Sequence, residues 1–407
     1  MFKKLIKDKV FRDSIYGNIK VEHELILELI DSEEVQRLRR IRQLSGVSLV
    51  FHTAEHSRFP HALGTYELAR RVLVNNTSIR NALSEYEQMV LLTSALLHDI
   101  GHGPFSHAFE NIFDIPHETM TIKLINSEIT DVNKILKKHN SKLIKDISDV
   151  LSYKHKNHII SSLISSQIDV DRMDYLSRDS YATGAKYGSI DFERLINIME
   201  VKDNKLVFKA RGSYTLESYL MSRYHMYWQV YYHPTSRAYE IILESIYRRI
   251  LDLEKQGYKL EADIEILSKT LNDHDIASYV EIDDVYINGV IKYLTKSKDK
   301  ILSDLCKRFL NRKLFKYILV EDHEKEIKKI NNKYLKDETL KRYYYKEDTV
   351  KQSAYITVVK SDINEIKILL ENGEITTLSN YSNVVKGLIE SSQKTETTIF
   401  YGTDNEI

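Results

Sequence analysis

Two adjacent side chains able to share one cation, His98 and Asp99, close an apolar run in the segment LLHDIGHGPFSHAF. An apolar stretch gains nothing by ending on an ionised carboxylate, because burying one costs several kcal/mol unless something pairs with it. A divalent cation would supply that pairing. His61 stands upstream in HSRFPHALG, and His102 follows His98 by four residues, with Gly101 and Gly103 loosening the helix there. Asp171 lies in SSQIDVDRMDYLSRD, where helical spacing puts Ile168, Asp171, Tyr175 and Asp179 roughly on one face. Two imidazoles and two carboxylates form a mixed nitrogen and oxygen set suited to Mn, Fe, Zn or Mg. Four protein ligands leave room for water in an octahedral shell, which a hydrolase needs.

The elements that must position these residues can be read around them. All four prolines, Pro60, Pro104, Pro116 and Pro234, flank histidine-bearing segments. In a chain this helical they mark helix starts and breaks, so the histidines are expected at helix ends that converge on one cavity. Ser84-Glu85-Tyr86-Glu87 is a capping-box pattern opening the helix that ends at His98-Asp99. Its MVLLTSALL run is apolar all round and predicts a buried helix. DSIYGNIKV predicts a hairpin or strand around Gly17, and the following helices break near Asp31-Ser32, where Asp31 is expected to cap the second. Helices are expected from Pro60 to about Asn75 and over 118–128, 141–152, 158–178, 190–199 and 214–256, with a hairpin turning at Asp203-Asn204. KLFKYILV and SAYITVVK predict strands flanking a helix rich in lysine and glutamate, and the last dozen residues are expected to fray. The fold class expected is mainly α: a helical core over 1–310 and a smaller α+β lobe over 311–407.

Composition narrows the partners. Lys+Arg and Asp+Glu are 59 each in 407 residues, so no global basic field argues for nucleic acid. The single cysteine, Cys306, lies in an amphipathic run and is expected to be a packing residue, consistent with a reducing cytoplasm. MFKKLIKDKVFRD lacks a long apolar stretch and no 18-residue apolar run occurs, so neither export nor a membrane is expected.

RLRRIRQL (37–44), HSRFPHALG (56–64), HDIGHGPFSHAFE (98–110), the His117-Glu118 step, DVDRMDYLSRD (169–179) and KLFKYI (313–318) together resemble the HD-domain superfamily, and within it the deoxynucleoside triphosphate (dNTP) triphosphohydrolases. The resemblance spans about the first 320 residues in order and spacing. It implies an HD-domain helical core, hydrolysis of dNTPs to deoxynucleoside and triphosphate, and a homo-oligomer, tetramer or dimer. It implies that His61, His98, Asp99 and Asp171 ligate one divalent metal, with additional Mg accompanying the nucleotide.

His117, on its own segment after Pro116, can act as general acid or base, with Glu110 orienting a histidine and His102 or His107 binding phosphate or positioning His117. By resemblance Arg58, Arg172 and Arg223 approach the triphosphate. Tyr175 can stack, Gln43 and Asp179 can bind the 3′-hydroxyl, and Tyr231 can pack near the ribose 2′ carbon. Asp31, Gln36, Arg39 and Lys9, within an N-terminal segment 1–45, match positions that read a guanine nucleotide at a subunit interface in the animal members. Activation by dGTP or GTP is therefore expected.

Two positions depart from those members: Glu110 stands for an aspartate and Tyr232 for a glutamine that contacts the base. Plainer readings stand beside these. Each arginine can be an ordinary salt-bridge residue, the aromatic helix around Trp228 can be plain core, and Asp169 and Asp174 are expected to pair with Arg172 and Arg178. The alternative chemistry is an HD-type nucleotidase or phosphodiesterase acting on another nucleotide.

Overall fold

The computed structural model describes residues 2–320, 327, 336–352, 365–390 and 394–403. Strands β1 (Lys4–Asp13) and β2 (Gly17–His23) form the expected antiparallel hairpin around Gly17. Helices α1 (Glu24–Asp31) and α2 (Glu33–Arg37) follow. The N-cap of α2 is Ser32 rather than Asp31; its hydroxyl donates back to the Leu29 carbonyl at 2.7 Å, ending α1 instead of capping α2.

The body then runs through α3 (Arg58–Asn75), α4 (Thr77–Ala82), α5 (Glu85–Leu97), α6 (His107–Phe113), α7 (His117–Asn126), α8 (Asp131–Asn140), α9 (Lys142–Leu151), α10 (His158–Ile164) and α11 (Val170–Thr183). The expected single helix over 158–178 is thus two. Asp169 breaks it by turning its carboxylate onto the Ser166 and Arg172 amides, so that it caps α11. After α12 (Phe192–Ile198) comes the hairpin β3 (Met199–Lys202) and β4 (Lys205–Lys209), turning at Asp203-Asn204 as expected. The expected 214–256 helix is likewise split. α13 (Ser213–Met226) gives way to a π-helical turn over Tyr227–Tyr231, and Pro234 starts α14 (Pro234–Lys255). Then come α15 (Glu265–Ser268), α16 (Ile276–Glu281), α17 (Asp284–Leu294) and α18 (Lys300–Leu310), with Cys306 buried in the last.

Beyond α18 the chain alternates strand and helix. β5 (Lys316–Leu319), β6 (Tyr345–Gln352) and β9 (Lys394–Tyr401) form an antiparallel sheet in the order β5-β9-β6. The first part of the tail expected to fray therefore supplies a central strand, with Ile399 and Phe400 buried, while residues 404–407 lie outside the described residues. Polar composition misled there: β9 alternates Thr and Glu with only a short apolar end. SAYITVVK lies outside the described residues. β7 (Lys367–Leu369) and β8 (Ile375–Thr377) extend the β3-β4 hairpin, β7 running parallel to β4. Among the described residues no helix is long and apolar enough to cross a membrane.

The architecture is mainly α, as expected, and α5 sits at its heart. The predicted capping box is formed: Ser84 N–H donates to Glu87 at 2.9 Å, and Glu87 N–H to the Ser84 hydroxyl at 3.3 Å. Every residue from Met89 to Leu97 is buried. Each large aliphatic side chain there contributes about 1.5–3 kcal/mol of burial. That drive carries the polar pair His98-Asp99 into the interior, where α3 packs against α5 and α11 against α3.

Candidate active site

Three helices bring the four expected ligands near one another: His61 from the first turn of α3, His98-Asp99 from the end of α5, and Asp171 from the first turn of α11. His61 Nε2 lies 3.2 Å from Asp171 Oδ1 and 3.6 Å from Asp99 Oδ2. His98 Nε2 lies 3.3 Å from Asp99 Oδ1 and 3.5 Å from Asp171 Oδ1, yet hydrogen-bonds to neither. The opposite ring nitrogens are spoken for. His98 Nδ1 donates to the Ala95 carbonyl at 2.9 Å and His61 Nδ1 to Asp174 at 2.7 Å. Those bonds orient both rings with Nε2 facing inward.

The electrostatics match. Burial disfavours a charged His61, but its hydrogen bonds to Asp171 and Asp174 push its pKa up to about 10. Asp171, despite burial, is held far below the ordinary carboxylate range by His61 and His98. A pocket that pulls protons so strongly onto inward-facing nitrogens is one that attracts a cation. The orphaned His98 Nε2 and the group of His61, His98 and Asp171, whose ligand atoms all lie within 4.8 Å of one another, fit a divalent metal; Asp99 stands beside them and also groups with His102 and His117.

Outside the ligands lies a supporting chain. Asp174 accepts two bonds from Arg178, at 3.0 and 2.9 Å, and Arg178 also donates to Asp13 at 2.9 Å. Gly64 makes room for this, since a Cβ there would stand 1.8 Å from Asp174 Oδ1. The pairing of Asp174 with Arg178 was expected; its grip on His61 was not, because no local pattern links residues 61 and 174.

A second group adjoins the first. Asp99 Oδ2 accepts from Arg58 Nη1 at 2.5 Å, and Arg58 Nε donates to the Ser106 hydroxyl at 2.9 Å. His102 Nε2 lies 3.4 Å from Asp99 Oδ1, and the His102 ring stacks on His117 at 3.7 Å. His117 is held by Glu110, whose carboxylate lies 3.2 Å from Nδ1 and accepts the backbone N–H of residue 117 at 3.1 Å. Gly101 permits the close approach of α7, for a Cβ would meet the Thr121 amide at 2.2 Å and the His117 carbonyl at 2.3 Å. The side chain of His107 lies outside the described residues.

The third group forms a polar and aromatic wall. Asp179 accepts from Tyr231 at 2.8 Å and contacts His56 Nε2 at 2.8 Å. Tyr175 presents its ring edge-on to His61 and Tyr231, and its hydroxyl lies 3.4 Å from that of Tyr227. The Gln43 segment pairs with His56 through backbone, and its side-chain oxygen is buried without a hydrogen bond. Arg223 is 3% exposed, and its Nε and Nη1 have no hydrogen-bond partner, with the Tyr227 ring 5.8 Å away. Buried, unanswered guanidinium donors are costly and suit an anionic ligand. Arg172 departs from expectation, because Asp169 and the Ser166 carbonyl already engage its Nη1, leaving Nε buried without a partner. The plainer reading of Arg172 holds for that part of its side chain. His56 and Ser106 were not singled out, although both lie in motifs that were.

The expected regulatory residues occupy the outer surface. Arg39 donates to Gln36 at 2.9 Å and lies 3.5 Å over the Phe59 ring, while Gln36 donates to the Ile30 carbonyl at 2.7 Å. Asp31 and Lys9 are exposed, Lys9 on β1.

Residues 58–179 match the HD domain family, and residues 190–406 match the HD associated region. The uncharacterized protein YwfO of Bacillus subtilis is 39% identical over 416 residues, covering 98% of this chain and 94% of that protein. The deoxynucleoside triphosphate triphosphohydrolase SAMHD1 homolog of Dictyostelium discoideum is 31% identical over 328 residues, covering 76% of this chain and 60% of that protein. A crystal structure of a phosphohydrolase from Bacteroides thetaiotaomicron superposes with a TM-score of 0.86 at 28% identity, covering 98% of this chain and all of that one.

Proposed function

The chain belongs to the HD-domain superfamily and to its dNTPase-like branch, a group of metal-dependent nucleotide hydrolases, and from that premise we propose that it cleaves dNTPs into deoxynucleoside and inorganic triphosphate. The observation that carries this reading is the His61–His98–Asp171 group, with Asp99 beside it, together with the buried, unanswered donors of Arg223. Tyr175, edge-on to His61, and Tyr227, whose hydroxyl lies 3.4 Å from that of Tyr175 and whose ring lies 5.8 Å from the Arg223 guanidinium, connect the two. A cluster for a cation alone would not call for a buried arginine; a polyphosphate bridging the two would satisfy both.

In this reaction water oxygen bonds to the α-phosphorus, the bond from phosphorus to the 5′ oxygen breaks, and that oxygen takes a proton. His61, His98, Asp99 and Asp171 would hold a divalent cation, in this reading Mn, Fe, Zn or Mg, which would supply Lewis acidity at the phosphate and ease deprotonation of water. Arg58 and Arg223 neutralise the triphosphate with planar, fork-shaped donors. Arg172, with Nη1 tied to Asp169 and the Ser166 carbonyl, offers its Nε. His117, kept protonated by Glu110, gives the proton to the 5′ oxygen. Asp179, steadied by His56 and Tyr231, receives the 3′-hydroxyl together with Gln43. Tyr231 crowds the 2′ carbon.

We further infer an activating guanine-nucleotide site at Lys9, Asp31, Gln36 and Arg39, completed by a second copy of the chain in a dimer or tetramer. The same segment reaches inward: Arg37 donates to the His102 carbonyl at 2.9 Å, and Phe59 beneath Arg39 is the neighbour of Arg58. A ligand ordering this segment would thereby bias both.

The test is product identity. Purified protein is given each dNTP with Mg²⁺ or Mn²⁺, and the products are separated by mass spectrometry. Intact triphosphate is expected. Monophosphate with pyrophosphate would overturn the reading in favour of a nucleotidase or phosphodiesterase.

A further inference from the structure

Asp284 opens α17, within the region that follows the HD domain, and yet its carboxylate sits behind the site. It is 5% exposed and accepts two backbone N–H groups far apart in sequence: Arg42 at 2.9 Å on Oδ2 and Phe105 at 2.8 Å on Oδ1. The Arg42 segment carries Gln43 and pairs with Ser57, next to Arg58. The Phe105 segment carries Ser106.

Both Phe105 and Ser106 hold left-handed backbone, with φ of 54° and 52°. For a bulky side chain this is an outlier, and such conformations cost of order 1–3 kcal/mol each unless the surroundings impose them. The turn is strained for a reason visible in its contacts. The Ser106 hydroxyl, placed by that turn, accepts from Arg58 Nε at 2.9 Å and lies 3.4 Å from the Arg42 carbonyl. The Arg58 amide in turn donates to the Ile41 carbonyl at 2.9 Å. Arg58 is thus held by two segments, its guanidinium by Ser106 and its backbone by Ile41, and one carboxylate ties those segments together. Asp283 beside it forms an ion pair with Arg40, holding α17 to the same strand of chain.

We propose that Asp284 is a positioning residue for Arg58: by clamping the Arg42 and Phe105 amides it sets the Ser106 hydroxyl, and through it the angle at which the guanidinium faces Asp99 and an incoming phosphate. A carboxylate suits this because its two oxygens can each accept one amide. Asparagine offers one acceptor and turns a donor against the other N–H. The inference rests on the phosphate reading of the pocket for its functional readout, and on backbone geometry for its own.

The experiment compares wild type, Asp284→Asn, Arg58→Ala and the double variant, each as the metal-loaded full chain. Calorimetric titration with inorganic tripolyphosphate gives affinity. Deuterium uptake reports on peptides spanning 41–44 and 103–108. Asp284→Asn is expected to weaken tripolyphosphate by roughly 10- to 100-fold, the scale on which supporting hydrogen bonds act. The double variant should be within about twofold of Arg58→Ala alone, since residues acting in series do not add. Both peptides should exchange faster in Asp284→Asn while α5 is unchanged and metal content stays at the wild-type level. Multiplying effects in the double variant, or unchanged uptake, overturns the proposal. If wild type itself ignores tripolyphosphate and nucleotides, the phosphate reading fails and uptake alone judges the clamp. Should Asp284→Asn not fold, Asp284→Glu, which keeps the charge and moves it by one methylene, is held to the same criteria.

Discussion

His102 and His117 lie ring on ring, centroids 3.7 Å apart and planes inclined by 16°, and their surroundings push the two imidazoles in opposite directions. Burial and the neighbouring charge of Arg58 hold His102 well below the ordinary histidine value. Burial also opposes a charge on His117, but its hydrogen bond to Glu110, with Asp99 and Glu118 nearby, raises it overall. A stacked pair cannot readily carry two charges. The neighbours therefore favour a proton on His117 over one on His102, and pairs pushed apart in this way commonly divide acid and base roles.

His117 as proton donor fixes the sign of a pH effect. Its raised pKa means the active, protonated form persists above the ordinary value of about 6.5 and is lost as pH rises through the raised one. The rate at saturating nucleotide should therefore fall on the alkaline side. In Glu110→Gln the principal raising interaction is gone, so that falling limb should move to lower pH. His117→Ala should retain metal and nucleotide yet turn over about 10²–10⁴-fold more slowly. A pH profile of kcat in the three proteins checks this; an unmoved limb in Glu110→Gln removes Glu110 from the role.

Metal retention should depend on residues that never touch the ion. His61→Ala and Asp171→Ala should lose both metal and turnover. Asp174→Asn, which breaks the acceptor behind His61 Nδ1, should weaken metal binding by about 10- to 100-fold. Gly64→Ala should do likewise, because its Cβ would overlap Asp174 Oδ1. Elemental analysis after dialysis against graded chelator reads all four. Full retention in Asp171→Ala would contradict its assignment as a ligand.

The parts of the site legible in the sequence were those written locally. The buried α5 follows from its uninterrupted apolar run, and the ligands at helix ends follow from proline and capping-box placement. His56 was within reach, since it opens the motif that holds His61. Asp174 and Asp284 were not, because their partners lie 113 and 179 residues away, at His61 and Phe105, and no spacing rule connects them. The C-terminal strand β9 was misread for a related reason: its partners β5 and β6 supply the pairing that its own polar sequence does not advertise. The split of the 158–178 helix turned on one side chain, Asp169, bonding backward instead of outward.

If the surface group at Lys9, Asp31, Gln36 and Arg39 binds an activating nucleotide between copies, dGTP should raise hydrolysis of the other dNTPs and shift the mass of the protein in solution. Arg39→Ala should lose both effects, since it removes a donor and the stack on Phe59. Its rate without dGTP should be close to wild type. Light scattering with and without dGTP, alongside rates on dCTP or dTTP, measures both. Indifference of mass and rate to dGTP in wild type would sink the activation reading while leaving the hydrolytic one standing.

Tyr231 should separate two contributions to sugar recognition. Its hydroxyl donates to Asp179 at 2.8 Å, and its ring stands edge-on to Tyr175. Tyr231→Phe removes the hydrogen bond but keeps the ring. Asp179 then loses one of its two anchors, so KM for a dNTP should rise while the preference for deoxyribose over ribose survives. Tyr231→Ala removes the ring as well, opening the space that an added 2′-hydroxyl would need. A largely apolar contact can exclude a hydroxyl by only about 10²-fold, so the ratio of kcat/KM for dATP over ATP should fall from at most that order toward unity. The comparison is sharp because the two substitutions touch the same residue. If phenylalanine alone abolishes the preference, discrimination runs through Asp179 rather than through the ring.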